Sequence, residues 1–160
     1  MTADEILRYF QGSDPWGNKE IKVAELCPYG ESIRMDAFSF NRYNRETRGY
    51  EIKISRSDFL SDKKHMRYLD FCTFFYFIAP KGLIKAEELY STIGLIEVTT
   101  EVKSYEDESF LSDEDGIKHI RIGHVITKKA KRNPPITQEN YIKLLEGLAW
   151  KFANKKNLLF

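Results

Sequence analysis

Three residues of this chain have types and spacing that could do chemistry together: Asp36, Glu51 and Lys53. Glu51 and Lys53 stand two apart in "GYEIKIS", which reads as a strand. Alternate side chains of a strand point to opposite faces, so this acid and this lysine share one face, while Tyr50, Ile52 and Ile54 share the other. Asp36 sits in "SIRMDAFSF", a second alternating stretch. If residues 41–48 close a hairpin, Asp36 falls about opposite Glu51 and Lys53. Two carboxylates held close repel, so they need a cation, a proton or solvent. Mg²⁺ is an efficient answer, because it takes hard oxygen ligands, keeps several waters and completes its shell with a phosphate oxygen. The lysine could then orient or deprotonate an attacking water, given that a Lys near other cations has a depressed pKa. The bland alternative is an exposed cross-strand salt bridge worth under roughly 1 kcal/mol.

The elements that must position these residues are legible on both sides. Thr2 caps a short helix running to Phe10, with Glu5 three residues on, and "GSDPWGN" breaks it. "EIKVAEL" is a strand. In "SIRMDAFSF" the period puts Ile33, Met35 and Ala37 on one face and Arg34, Asp36 and Phe38 on the other. "GYEIKIS" makes the third strand. From Ser57 the spacing turns helical, with Ser57 or Asp58 near the cap and Phe59, Leu60, Met66, Leu69 and His65 as the inner stripe. "FCTFFYFIAP" reads as a strand buried on both faces, "KAEELYST" as a short helix and "GLIEVTTEV" as a further strand. Residues 106–116 are acidic and read as an exposed loop. "IKHIRIGHVITKKAKRNPP" is a strand or hairpin ending in a basic cluster at Lys128, Lys129, Lys131 and Arg132. A final amphipathic helix starts from Thr137. The order implies a mixed α/β fold with the fourth strand reached by a helical crossover.

Length and composition set the frame. The 160 residues suit one domain over 1–160 with a real core, and aromatics at 14% are plentiful for it. A net charge of +1 gives no global pull towards nucleic acid or membrane, so any polyanion contact rests on local patches. Cys27 and Cys72 lack metal-ligand spacing and read as two reduced, buried thiols. No apolar run approaches the length needed to span a bilayer, and the acidic N-terminus is unlike a signal peptide. The expectation is a cytoplasmic protein with no membrane partner.

An Asp in one strand, then Glu-x-Lys in the next, followed by a helix, resembles the PD-(D/E)XK nuclease superfamily with its restriction-endonuclease-like fold, a central mixed sheet flanked by helices. The closer resemblance is to the MmcB-like DNA-repair endonucleases and their phage relatives. It is carried by Arg34-x-Asp36, the block "YEIKISRSDFLSDKKHMRY", the aromatic strand "FFYFIAP", then "GLI" and the basic "KKA" from Lys128 to Ala130. The resemblance implies a Mg²⁺-dependent endodeoxyribonuclease, with Mn²⁺ as a substitute, in DNA repair or phage DNA metabolism. Asp36, Glu51 and the backbone carbonyl of Ile52 become metal ligands, and Lys53 the catalytic lysine. A further acid often comes from the first helix or strand. Glu25 suits that role better than Glu5, because it precedes the Arg-x-Asp strand. Met35 stands where the superfamily's name has Pro, and His65 where close relatives often carry Trp. DNA contacts fall to Lys63, Lys64 and Arg67, joined by Lys128 and Lys129. Tyr68 and Phe71 read as core, and Asp58 and Asp62 as helix caps. A homodimer and a repair or phage protein partner are both open. The alternative is a catalytically silent DNA- or protein-binding module on the same fold.

Overall fold

A computed structural model describes residues 1–12, 20–103 and 119–154 of the chain, the side chains of 101–103 and 119–121 excepted. The Gly/Pro break, the acidic stretch 106–116 and the last residues therefore lie outside the described residues. The first helix, α1 (Ala3–Gly12), opens with the expected box: the Thr2 amide donates to Glu5 Oε2 at 2.6 Å and the Glu5 amide to Thr2 Oγ1 at 3.2 Å. Three antiparallel strands follow, β1 (Glu20–Leu26), β2 (Met35–Asn41) and β3 (Thr47–Ile52). Two short helices, α2 (Arg56–Ser61) and α3 (His65–Tyr68), carry the chain over to β4 (Phe74–Pro80), which lies parallel to β3. β5 (Ile93–Lys103) is parallel to β4, β6 (His119–Lys128) antiparallel to β5, and α4 (Gln138–Ala153) closes the described chain. The strands lie in chain order in one mixed six-stranded sheet. This is the α/β architecture expected, and at the coarse level it agrees with a restriction-endonuclease-like core.

Alternation along β4 sorts the core into two clusters, one on each face of the sheet. Phe75 and Phe77 join Phe38, Leu95, Tyr68 and Leu144, beneath α2, α3 and α4. Tyr76 and Ile78 join Tyr50, Ile52, Ile6 and Phe10, against α1. Burial on both faces explains the unbroken apolar run of "FFYFIAP". Register fixes where the acid of β3 goes. Glu51 pairs with Phe77, so it belongs to the α2–α3 face and not to the α1 face.

Several details depart from the pattern in the sequence. The helix expected from Ser57 is capped by Ser55, whose Oγ accepts from the Asp58 amide at 3.2 Å. It then breaks at Asp62, because that carboxylate competes for the backbone: Asp62 Oδ1 accepts from the Lys64 amide at 2.8 Å and the His65 amide at 3.3 Å. The break turns Leu60 and Met66 to the surface, while Phe59 and Leu69 pack on the core as expected. Met35 joins Phe38 in one cluster and Ala37 the other, so the simple alternation fails at that end of β2. β3 ends at Ile52, and Ile54 is exposed. "KAEELYST" forms only a single 3-10 turn, Ala86–Glu88. Cys72 is buried but Cys27 is exposed. Thr137 caps α4 as expected, accepting from the Asn140 amide at 3.2 Å. No helix among the described residues is long and apolar enough to cross a membrane.

Candidate active site

The sheet and the α2–α3 crossover together frame a cleft of about 720 Å³. Asp36, Glu51 and Lys53 all line it, the two acids from the neighbouring strands β2 and β3 and the lysine from just past the end of β3. The hairpin arithmetic holds: Ala37 pairs with Tyr50, so Asp36, one residue on, stands opposite Glu51. The Ile52 amide donates to Asp36 Oδ2 at 2.8 Å, which ties the carboxylate to the end of β3 and sets the Ile52 backbone beside it. Lys53 lies just beyond the strand, where its own amide donates to the Ile78 carbonyl at 2.9 Å. That bond fixes the lysine's backbone to the neighbouring parallel strand.

The electrostatics are those of a site short of positive charge. Burial raises the Asp36 pKa, against the Ile52 hydrogen bond and the Lys53 charge that lower it. Burial and then the Asp36 charge push Glu51 up to about 7. Glu51 Oε1 accepts from Lys53 Nζ at 3.2 Å, while its buried Oε2 has no hydrogen-bond partner among the described residues. A divalent cation fits this pair, because it answers the mutual repulsion and gives the orphaned oxygen a partner. Asp36 and Glu51 are the residues that would hold it. Mg²⁺ asks for no more than one or two carboxylates, since it keeps its waters. Among the described residues no group of three or more His, Cys, Asp or Glu side chains is placed to hold a metal ion.

Lys53 is surrounded by acids rather than by cations. Its ammonium lies 2.7 Å from Asp62 Oδ2, 3.2 Å from Glu51 Oε1 and 3.5 Å from Asp58 Oδ1, and the residue is 4% exposed. Burial works to lower its pKa, but the Asp62 contact and the charges of Glu51, Asp62 and Asp58 outweigh it and leave the pKa raised. The depressed lysine pKa expected from the sequence is thereby corrected: Lys53 is a fixed positive charge, not a ready base. Burial of Asp62 works upward, yet its contacts with His65, Lys53 and the Lys64 amide hold its pKa well below the usual carboxylate range. The sequence marks Asp62 as a helix cap; it closes α2 as its C-cap, through its backbone amide to the Phe59 carbonyl, while Oδ1 takes the Lys64 and His65 amides. Its second oxygen reaches back to Lys53, and only the crossover brings the two together.

The remaining candidates are dispersed. Lys63 and Lys64 are exposed and line the cleft. Arg67 lies at its rim, with Nη2 3.1 Å from Glu31 Oε2 and Nη1 3.2 Å from Ser32 Oγ. Glu25, in the left-handed region at φ 52°, is exposed and 3.6 Å from Arg34; it does not line the cleft, although Arg34 does. Glu5 belongs to α1, on the other face of the sheet, where its carboxylate closes the capping box. Lys128 donates to the carbonyls of Ala86, Leu89 and Tyr90 at 3.2, 2.9 and 2.9 Å. All three of its N–H donors are used in tying β6 to that turn, which removes it from the basic patch. Lys129 is exposed beyond it, while Arg132 pairs with Glu46. Tyr68 and Phe71 are core, as expected.

No protein-family model matches the chain, and no curated protein matches it. Among solved structures it is similar to the SPO1766 protein of unknown function from Silicibacter pomeroyi, at 21% identity over 84% of this chain and 75% of that one, with a TM-score of 0.57. At that identity the likeness bears on the fold alone.

Proposed function

We propose that the cleft is the active site of a divalent-metal-dependent endonuclease that hydrolyses DNA phosphodiester bonds in the cytoplasm, of the PD-(D/E)XK type and close to the MmcB-like enzymes. One observation carries the reading: Asp36, Glu51 and Lys53 share one cleft in which the two carboxylates lack enough positive charge. A divalent ion bound there would polarise the phosphoryl oxygen and acidify an attacking water. Asp36, held by the Ile52 amide, and Glu51, with its free oxygen, would fix its position. Lys53 stays charged in its cage of acids, so it supplies a preset positive charge beside the reacting phosphate. Lys63 and Lys64 at the mouth would hold flanking phosphates, which positions the strand without reading its sequence.

The test is cleavage of single-stranded, duplex, flap and branched DNAs by the wild-type protein and by Asp36→Asn, with Mg²⁺, Mn²⁺ or chelator. Metal-dependent products from the wild type and none from the variant are expected. A wild-type protein that binds these DNAs and cuts none of them would leave the silent binding module as the better account.

A further inference from the structure

We infer that a second cavity, on the other side of the α2–α3 connection, is a subsite for one unstacked nucleobase of the bound strand, an assignment that rests on the DNA reading above. This cavity, of about 210 Å³, shares Asp62 with the cleft as a lining residue, so a single short piece of chain separates the two. The same piece carries Lys63 and Lys64, exposed and facing the cleft.

The two cavities differ in chemistry. The cleft holds carboxylates and ammonium groups, whereas the second cavity is walled by Phe59, Leu60, His65, Phe77 and Tyr90. Phe59 and His65 both stand edge-on to Phe77, with ring centroids 5.5 Å apart in each case, which gives the cavity a well-packed aromatic floor. Tyr90 lies 6.4 Å from His65, with the rings tilted by 38°. Tyr90 is 63% exposed and Leu60 64%, so both present apolar surface at the cavity's edge.

A strand whose phosphates meet the Asp36–Glu51 pair and the Lys63–Lys64 segment carries its bases to the side of that backbone path. An aromatic cavity across the same segment can receive one of them. Stacking on such rings tolerates any base, because every base has a π-face. Asp62 is paired with Lys53 and Glu88 with Arg56, and no lysine or arginine lines the cavity, so it offers an anionic phosphate little and admits a neutral ring. A base inside a duplex is committed to its stack, so the subsite selects single-stranded or locally opened DNA, such as ends, flaps and branch points.

The experiment is a titration, in Ca²⁺ to permit binding with little cleavage, of a single-stranded oligonucleotide carrying one 2-aminopurine and of the same sequence fully paired. The proteins are the wild type, Tyr90→Ala, Tyr90→Phe and Lys63→Ala/Lys64→Ala. The wild type should prefer the single strand and quench the probe. Tyr90→Ala should lose roughly tenfold or more in single-strand affinity together with the quenching, and leave duplex binding unchanged; Tyr90→Phe should retain both. If single strand and duplex bind alike and Tyr90→Ala changes neither, while the double lysine variant still weakens binding, the subsite is wrong and the DNA reading stands. Equal losses on both DNAs in Tyr90→Ala also overturn the subsite, since the defect is then general. A wild-type protein that binds neither DNA overturns the subsite and the reading together.

Discussion

Lys53 and Asp62 form the tightest ion pair of the cleft, 2.7 Å from Nζ to Oδ2 with only 5% and 6% of their side chains exposed. Removing one partner of a buried pair leaves the other charge stranded, at about 3–5 kcal/mol. Lys53→Ala strands several carboxylates at once and should therefore destabilise the fold as well as abolish cleavage. In the Lys53→Ala/Asp62→Asn double variant part of that loss should return. A double-mutant cycle by urea unfolding measures the coupling, and additive effects of the two changes would show that the pair is not coupled.

Stability should depend on the protonation of Glu51. Its pKa in the folded protein, about 7, stands above the ordinary value of 4.5. The folded state therefore binds the proton more tightly, and this contribution is complete below pH 4.5 and lost as pH rises through 7. The difference amounts to about 3 kcal/mol. Thermal unfolding in chelator should show Tm falling across pH 5–7, and Glu51→Gln should flatten that slope. Millimolar Mg²⁺ should flatten it too, since the cation replaces the proton. A slope unchanged in Glu51→Gln would assign it to another group.

DNA binding should separate the lysines by what their ammonium groups already touch. Lys63→Ala/Lys64→Ala should lower the slope of log affinity against log salt by about two, one per phosphate contact. Lys128→Ala should leave that slope alone and lower Tm, because its three donors hold backbone carbonyls. Filter-binding titrations at several salt concentrations distinguish the two outcomes.

Gly147→Ala should destabilise the protein even though alanine favours a helix interior by about 1 kcal/mol. A Cβ at Gly147 would overlap the Cys27 carbonyl oxygen and stand 3.3 Å from Pro28 Cα. Backbone cannot rotate aside as a side chain can, so overpacking of about 1–3 kcal/mol or more outweighs the propensity gain. Denaturant midpoints of the two proteins decide it, and a more stable variant would mean that α4 can shift off the β1–β2 connection.

The Asp36–Glu51 pairing was readable in the sequence because strand period and hairpin length are local properties, and together they set register. Lys53 was readable by type and face but not by state. Its charge depends on Asp62, nine positions later, and no spacing rule says where a crossover will fold back. Asp62 also broke the helix that the apolar spacing favoured, so Leu60 and Met66, legible as an inner stripe, came out exposed. Lys128 was legible as a cation but not as an engaged one, for a related reason: a basic run shows charge, while the carbonyls that take its donors belong to a turn some forty residues away. The α/β order itself was legible because burial on both faces makes β4 an unbroken apolar stretch.

The strict chain order of the sheet bears on how the molecule assembles. Each strand pairs with the strand made just before it, so no early strand waits for a distant one and loop-closure costs stay low. Asp36, Glu51, Lys53 and Asp62 are all synthesised before Ile78, whose carbonyl takes the Lys53 amide. The arrangement of these four residues is thus completed when β4 docks, ahead of β5, β6 and α4. In nascent chains of increasing length, protection of the Lys53 amide from hydrogen exchange should begin once β4 has emerged, and a delay until α4 appears would show that the late elements are needed to set the site.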